Sequence, residues 1–341
     1  MHIQSLFVAL GLSALCCSPC LRSQTGYHAY IGGNTPGSGA CSVVPMGSSS
    51  TSGGSQLRSQ MIQFVVTRAE LGNQARHITN LAFAPCDTGN RYYGRLTITL
   101  AYKKPGAWST TFADNVLVST AYPKVKVFDQ FRYDWPNRAG QWNNVGLTYA
   151  FNYDPQGGDL LVEIVARNAD FSGTDPAMRS DNRACVVASA FSATPKTGAL
   201  AMTSTKVRLS DGVAFVDSFM LPCGPGPLQL TATGSPKLTG AVDFQITNGT
   251  KTTTPSIGVL LLGFQPANIS GLGHDCAIYV TPDMIFWAPL TNGVSPALRF
   301  QIPNVAALVG GKVYFQGAHQ DAFNTKIGFV LSGRSVMTIG W

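Results

Sequence analysis

The sequence predicts an all-β protein in two units, an N-terminal β-sandwich or jelly roll followed by a smaller C-terminal β-sandwich. Three observations predict it. Charged residues make up only 12% of the chain, while glycine numbers 36 and proline 20. That is poor material for amphipathic helices, which draw on Glu, Lys, Arg and Leu, and it suits short strands between tight turns. The C-terminal part is a series of short apolar runs cut by Gly, Pro and Asn: Ile302-Pro303-Asn304, Ala307–Gly310, Val313–Ala318 and Ile327–Gly333. Strict alternation marks two earlier runs. Tyr92–Tyr102 sets Leu96, Ile98 and Leu100 against Arg95, Thr97 and Thr99, and Leu160–Ala166 sets Leu160, Val162 and Ile164 against Leu161, Glu163 and Val165.

Taken in order, the chain opens with a signal peptide over 1–23. Leu6–Leu15 has the length of an h-region and is too short to span a bilayer. Met1-His2-Ile3-Gln4 offers only the α-amino group and a histidine as an n-region. Cleavage fits after Cys20 or after Ser23, and Ser23 is preferred because polar, Gly-rich sequence begins at Gln24. A lipobox needs Leu and two small residues just ahead of a cysteine, which Cys16, Cys17 and Cys20 do not offer. Residues 24–55 are a Gly/Ser-rich lead-in, with Ser48–Gly54 its most linker-like part.

The first β-unit covers 56–220. Its expected strands are Ser59–Val66, Ile78–Ala84, Tyr92–Tyr102, Val125–Phe131, Gly146–Phe151, Leu160–Ala166, Ala184–Phe191 and Lys206–Leu209, with a helical turn at Arg68–Gly72 and a turn region at Trp108–Asn115. Many short strands with this spacing argue for a sandwich or jelly roll. The boundary falls near Leu221–Pro227, where three prolines and two glycines in seven residues make a hinge. The C-terminal unit covers 221–341. Its most apolar stretch, Ile257–Phe264, is strand length, so the chain is not expected to span a membrane.

Beyond the signal peptide five cysteines remain: Cys41, Cys86, Cys185, Cys223 and Cys276. None forms a C-x-x-C pair of the zinc-site kind. Wide spacing in an oxidising compartment points to disulfides. Cys223 with Cys276 is the preferred bridge, stapling the start of the second unit to a loop within it. Cys41, Cys86 and Cys185 then supply one more pair and one free or alternative partner, Cys41 with Cys86 being one choice.

The net charge is +7 and the pI about 9.0. The basic clusters are small, Lys103-Lys104 with Lys124 and Lys126. With no Arg-rich helix or nucleic-acid motif, they read as a solvated face and not as a nucleic-acid surface. No G-x-S-x-G elbow and no H-E-x-x-H pair is present among His28, His77, His274 and His319. His274-Asp275-Cys276 reads as a polar loop before a disulfide cysteine, because His274 and Cys276 share a face only on a strand. Glu163 is the one mid-strand carboxylate to weigh for glycosidase chemistry, which needs a second carboxylate nearby. No cofactor is expected. Asp154, Asp159, Asp170, Asp175 and Asp181 are loop acids that offer a Ca²⁺ site as an option, without EF-hand spacing.

Binding is the stronger functional class. Aromatic residues concentrate between Tyr122 and Tyr153. Exposed rings on a sandwich stack against the C–H faces of sugars. Asp134-Trp135-Pro136-Asn137-Arg138 has loop composition, so Trp135 is the leading candidate for an exposed contact, with Tyr133, Arg138 and Trp142 beside it. Trp287 is expected in the core of the second unit.

Ser59-Gln60-Met61, Arg68–Gly72, Ile78–Phe83, Leu96-Thr97-Ile98, Thr110-Thr111-Phe112, Gln141-Trp142, Phe151-Asn152-Tyr153 and Leu160–Ile164 together resemble the β-sandwich module of secreted proteins of planctomycetes and related marine bacteria. Pro255, Leu260–Gly263, Cys276, Ile302-Pro303-Asn304, Leu308-Val309-Gly310, Tyr314–Gly317 and Leu331-Ser332 resemble the C-terminal β-module of the same proteins. The resemblance covers most of the mature chain. It implies no catalytic residue, since such modules have no established activity. Family members usually carry Gly before the internal cysteine, where this chain has Asp275. The expectation is a secreted or cell-surface binding or adhesion protein whose ligand is an extracellular glycan or protein. The alternatives are a structural component of wall or matrix, and a glycan-degrading hydrolase or lyase. Oligomeric state is left open.

Overall fold

The computed structural model describes residues 27–42, 44, 46, 58–171, 178–189, 191, 193–219, 222–223, 228–248, 256–273, 276–320 and 328–341. The signal peptide, Ser48–Gly54, most of the Leu221–Pro227 hinge, Asp175 and His274-Asp275 lie outside the described residues. Among the described residues the fold is all-β. Strands are joined by turns and three short 3-10 segments, and no helix is long and apolar enough to cross a membrane.

The first part of the chain forms β1 (Tyr27–Ile31), β2 (Cys41–Ser42), β3 (Gln60–Val66), β4 (Arg76–Phe83), β5 (Gly89–Tyr102), β6 (Val125–Asn137), β7 (Asn143–Asn144) and β8 (Phe151–Tyr153). It continues with β9 (Leu160–Phe171), β10 (Met178–Asp181), β11 (Cys185–Ser189), β12 (Ala199–Ala201), β13 (Ser204–Thr205) and β14 (Val207–Asp211). The second part forms β15 (Phe215–Phe219), β16 (Leu228–Gly234), β17 (Ala241–Asn248), β18 (Ser256–Gly263) and β19 (Pro266–Ile269). Then come β20 (Ile278–Val280), β21 (Met284–Leu290), β22 (Leu298–Gln301), β23 (Lys312–Gln320) and β24 (Phe329–Thr338).

A six-stranded sheet, β12-β11-β3-β9-β5-β6, faces a five-stranded one, β1-β14-β4-β7 with β8 also on β4. Alternation decides which side chains meet. Ile62 and Phe64 of β3, Leu96, Ile98 and Leu100 of β5, and Val162 and Ile164 of β9 share one core with Ile31, Leu81, Phe83, Val207 and Leu209 of the facing sheet. A second sandwich sets β15-β24-β23-β18-β21 against β16-β17-β22. Leu260, Leu262, Phe315 and Met337 from the larger sheet pack there on Leu228, Val242, Phe244 and Ile246.

The other face of that larger sheet is also covered. Val259, Leu261, Tyr314, Leu331 and Val336 belong to the same core as the first sandwich. This explains why β18 is apolar almost without alternation, Ser-Ile-Gly-Val-Leu-Leu-Leu-Gly: a strand buried on both faces has no polar side. Residues of the two parts therefore share one core, and β15 enters the second sheet on β24 before the Pro/Gly-rich hinge is reached.

The structure departs from the expectations at four places. Part of the Gly/Ser-rich lead-in is strand, with β1 pairing β14 from Tyr27↔Asp211 to Ile31↔Val207. Gly146–Phe151 is not one strand. Gly146 has φ +69° and its N–H donates to Asn80 Oδ1, so the chain loops between β7 and β8 while burying Val145 and Leu147. Strand β6 runs on to Asn137, six residues past the expected end at Phe131. Trp287 is not core: it sits on the edge strand β21 and is 63% exposed. Arg68–Gly72 does form a helical turn, with Leu71 N–H donating to Thr67 O.

Two disulfides join Cys41 to Cys86 and Cys223 to Cys276. Cys185 is a buried free thiol. Its Sγ donates to Thr203 O, and burial raises its pKa.

Candidate functional site

The expected sugar platform at Trp135 does not exist. Arg132 has φ +50°, a left-handed conformation inside a strand. It shifts the alternation by one residue, so buried Phe128 and Gln130 are followed by buried Tyr133, Trp135 and Asn137. Pro136 is tolerated because β6 is an edge strand and needs no ladder N–H on its open side. Trp135, 1% exposed, donates through Nε1 to Asn144 O at 2.8 Å and meets Phe83 edge-on. Tyr133 is fully buried, donates its hydroxyl to Val145 O at 3.1 Å and stacks on Tyr93. Both are core aromatics with satisfied polar tips. Arg138 is exposed, and its backbone is clamped by the Asn143 side chain at both N–H and C=O.

That clamp holds Trp142 on the surface beside β1. His28, Tyr30 and Trp142 form a row of rings, with centroids 5.8 Å apart from His28 to Tyr30 and 5.8 Å from Tyr30 to Trp142. Tyr30 is 39% exposed, and His28 and Trp142 are half-buried. Trp142 Nε1 donates to Asn34 O, and Arg208 lies over its ring at 5.8 Å. The row exists because β1 and β14 pair in register: Tyr30 stands opposite Arg208 and His28 opposite Ser210, whose hydroxyl is 3.0 Å from His28 Nδ1. Burial, with help from Arg208, holds the His28 pKa down at about 4. The ring is thus neutral at ordinary pH. In the sequence Trp142 stood only beside the leading candidate Trp135. Tyr30 was missed because Tyr-His-Ala-Tyr-Ile sits in a segment whose composition says linker.

A cavity of about 330 Å³ opens where the β7–β8 loop meets the second sandwich. Tyr149, Phe264, Tyr314 and Lys312 line it, and the lining holds no carboxylate. Tyr149 is 64% exposed and Phe264 50%. The Lys312 stem is partly exposed, but its Nζ is shielded from solvent and has no hydrogen-bond partner. Behind it, Asp217 on β15 accepts from Asn144 Nδ2 at 2.8 Å, and Asn144 Oδ1 accepts from Arg208. The second Asp217 oxygen is buried without a partner. Burial pushes the Asp217 carboxyl up to about 7 against the pull of Asn144, Arg208 and Lys312. Burial likewise pushes Lys312 down to about 7, with Asp217 opposing and Arg334 reinforcing. Arg334 of β24, 1% exposed, lies 5.5 Å from the Tyr314 ring, while its Nε and one terminal nitrogen find no acceptor.

The remaining candidates whose side chains are described make local contacts. Glu163 is buried and accepts from Gln63 Nε2 at 2.7 Å and Lys124 Nζ at 2.8 Å, with no second carboxylate in that network. Lys126 pairs with Asp129, which Arg95 also holds, so Lys124 and Lys126 have local partners and do not form an open basic patch. Asp154 caps a 3-10 turn through Gln156 N–H, Asp159 takes the Arg68 N–H, and Asp181 pairs with Arg183. Among the described residues, no three His, Cys, Asp or Glu side chains gather as metal ligands. His77 pairs with Asn152 and His319 with Ser256.

No protein-family model matches this chain, and no curated protein matches it. Among solved structures it is similar to a Bacteroides uniformis beta-glucuronidase, at 9% identity and a TM-score of 0.19, covering 83% of this chain and 27% of that one. Another is Bacteroides uniformis beta-glucuronidase 2 covalently bound to cyclophellitol-6-carboxylate aziridine, at 10% identity, a TM-score of 0.18, and 83% and 27% coverage. A third is a calcium-binding mutant of beta-glucuronidase 2, at 9% identity, a TM-score of 0.19, and 93% and 33% coverage. The chain thus spans 27% to 33% of the length of those chains. A TM-score this low carries neither the fold nor the activity of those proteins to this one.

Proposed function

We propose that this chain is a secreted or cell-surface, non-catalytic binding or adhesion protein, organised as two β-sandwich units, and that its ligand is a carbohydrate. The observation that carries this is the Tyr30–Trp142 strip. Two partly exposed aromatic rings with centroids 5.8 Å apart and planes tilted 50° to one another, extended by neutral His28, with Arg208 over one face of Trp142 and the Asn34 carbonyl at its Nε1, offer ring faces to sugar C–H groups with polar groups beside them. Two disulfides suit an oxidising compartment and so support secretion. The resemblance to secreted β-modules of planctomycetes belongs to the same proposal. A glycan array probed with the mature chain, Gln24 to Trp341, tests it. The wild type is expected to bind at least one glycan class, and Trp142→Ala to lose that binding. An array blank for the wild type rejects a carbohydrate ligand.

A specific observation favours a second reading, a structural component of wall or matrix. Among the described residues strand β21 is the edge of its sheet, and it carries exposed Met284, Ile285 and Trp287 beside exposed Ile257 of β18. An apolar edge strand is a template for pairing with another chain. Concentration-dependent assembly of the pure chain, lost in Trp287→Lys, would favour this reading over glycan binding.

A further inference from the structure

We infer that the outer face of the six-stranded sheet carries a binding site for an anionic glycan, whose carboxylate or sulfate groups are taken by Arg95, Arg132 and Arg167. Three features of the geometry lead there. The first is a break in alternation that crosses the adjacent strands β6, β5 and β9 along one line. On β5 the buried residues on either side of the break are Tyr93 and Leu96, on β9 Ala169 and Ala166, and on β6 Tyr133 and Gln130. Register aligns the breaks: Tyr93 stands opposite Tyr133 and Ala169, and Leu96 opposite Gln130 and Ala166. Arg132 at φ +50° and Asn168 at φ +48° carry the break on the two flanking strands. Two successive residues on each strand therefore turn away from the core: Gly94 and Arg95, Phe131 and Arg132, Arg167 and Asn168. None of them is buried.

The second is charge. The break sets Phe131, Arg95 and Arg167 in one cross-strand row, with Arg132 and Asn168 beside it on either side of Gly94. Arg95 and Arg167 stand directly opposite one another, an arrangement that like charges disfavour. Asp129 takes two of the five Arg95 donors at 2.7 Å each, and the same carboxylate also holds Lys126. Arg132 is exposed and in no salt bridge among the described residues. Asp134, the next acid on β6, lies past the break, opposite Tyr92. An oxyanion laid across this row supplies the charge that Asp129 alone does not, and the planar guanidinium fork suits it.

The third is the surface around the arginines. Phe131 is 54% exposed, with the Arg95 guanidinium over its ring at 4.3 Å. Arg167 lies 5.6 Å from the Phe191 ring and donates to Thr194 Oγ1. Trp108, Phe112 and Phe191 pack over Met61 and Val186 on the half of this face toward β11. The half toward β6 instead presents Phe131 and Arg132 to solvent. An exposed strip of this kind fits a polymer laid along it, with Phe131 against sugar C–H groups and the arginines on the acid groups. That the polymer is a glycan rests on the carbohydrate reading above. The anion site does not, and it shares no residue with the Tyr30–Trp142 strip.

Titration of the mature chain with heparin and with polygalacturonate tests the assignment, with dextran as a neutral glycan and oligothymidylate as a polyanion that is not a glycan. At least one anionic glycan is expected to bind, and dextran and oligothymidylate to bind about tenfold or more weakly. Raising salt from about 50 mM to about 500 mM is expected to weaken that binding, because exposed charges are screened. Heparin alone binding assigns sulfate groups, and polygalacturonate alone carboxylates. Arg132→Gly keeps the left-handed backbone and removes one guanidinium. It is expected to fold as the wild type and to bind about tenfold more weakly, the usual weight of a charge-assisted hydrogen bond. Phe131→Ala is expected to weaken binding as well. Trp142→Ala is expected to leave it unchanged, which tells a failure of the strip from a failure of the arginine row. No binding of either anionic glycan, equal binding of dextran or oligothymidylate, undiminished binding by Arg132→Gly, or loss of binding in Trp142→Ala would each overturn the assignment.

Discussion

At the scale of single residues, two tryptophans seven positions apart in the chain have opposite fates, and stability separates them. Trp135 is enclosed by Phe83, Tyr133 and the Asn144 carbonyl. Truncating it leaves a large cavity, and Trp135→Ala is expected to cost about 3–5 kcal/mol. Trp142 is half-buried on a loop, so Trp142→Ala is expected to cost about 1 kcal/mol or less. Urea unfolding of the two variants checks the difference, and equal losses would contradict the placement of both rings. Composition alone could not distinguish them. Asp-Trp-Pro-Asn-Arg has the residues of a loop, and what makes it strand is an open sheet edge where proline costs nothing. That is a tertiary fact, invisible within the segment.

At the scale of elements, alternation was the dependable signal and its interruptions were the blind spots. Tyr92–Tyr102 and Leu160–Ala166 alternate cleanly and lie side by side as β5 and β9, paired from Leu96↔Ala166 to Tyr102↔Leu160. Strand β6 alternates too, but Arg132 re-phases it, and a left-handed arginine has no sequence signature. Arg132→Gly is expected to be neutral or stabilising by up to about 1 kcal/mol, because glycine takes positive φ freely. Arg132→Val is expected to destabilise, because a β-branched side chain resists that conformation. Thermal melts that rank valine at or above glycine would contradict the re-phasing. The cysteine bridges were legible as far as widely spaced cysteines in an oxidising setting can be. Strand β1 was not, because Gly, Ser and Pro around it mask a five-residue strand that gains its stability by pairing with distant β14.

At the scale of the whole molecule, the two parts meet across one shared core that contains a charged seam, and this seam sets how stability follows pH. Asp217, with its pKa raised from 3.8 to about 7, binds its proton more tightly folded than unfolded, so its contribution falls as pH rises from about 4 to 7. Lys312, with its pKa lowered from 10.5 to about 7, binds its proton more weakly folded, so its contribution recovers as pH rises from about 7 to 10. The two together place a minimum of stability near neutrality. The double variant Asp217→Asn with Lys312→Met is expected to melt higher than the wild type, with the largest gain near pH 7; a gain independent of pH would contradict the seam. The surface strip is the more direct claim. Isothermal titration of the best array glycan into wild type, Trp142→Ala and Tyr30→Ala, with melting curves alongside, tests it. The account predicts a loss of about tenfold or more in affinity for each ring removed, from lost stacking, with little change in melting temperature. Undiminished affinity in both variants would contradict it.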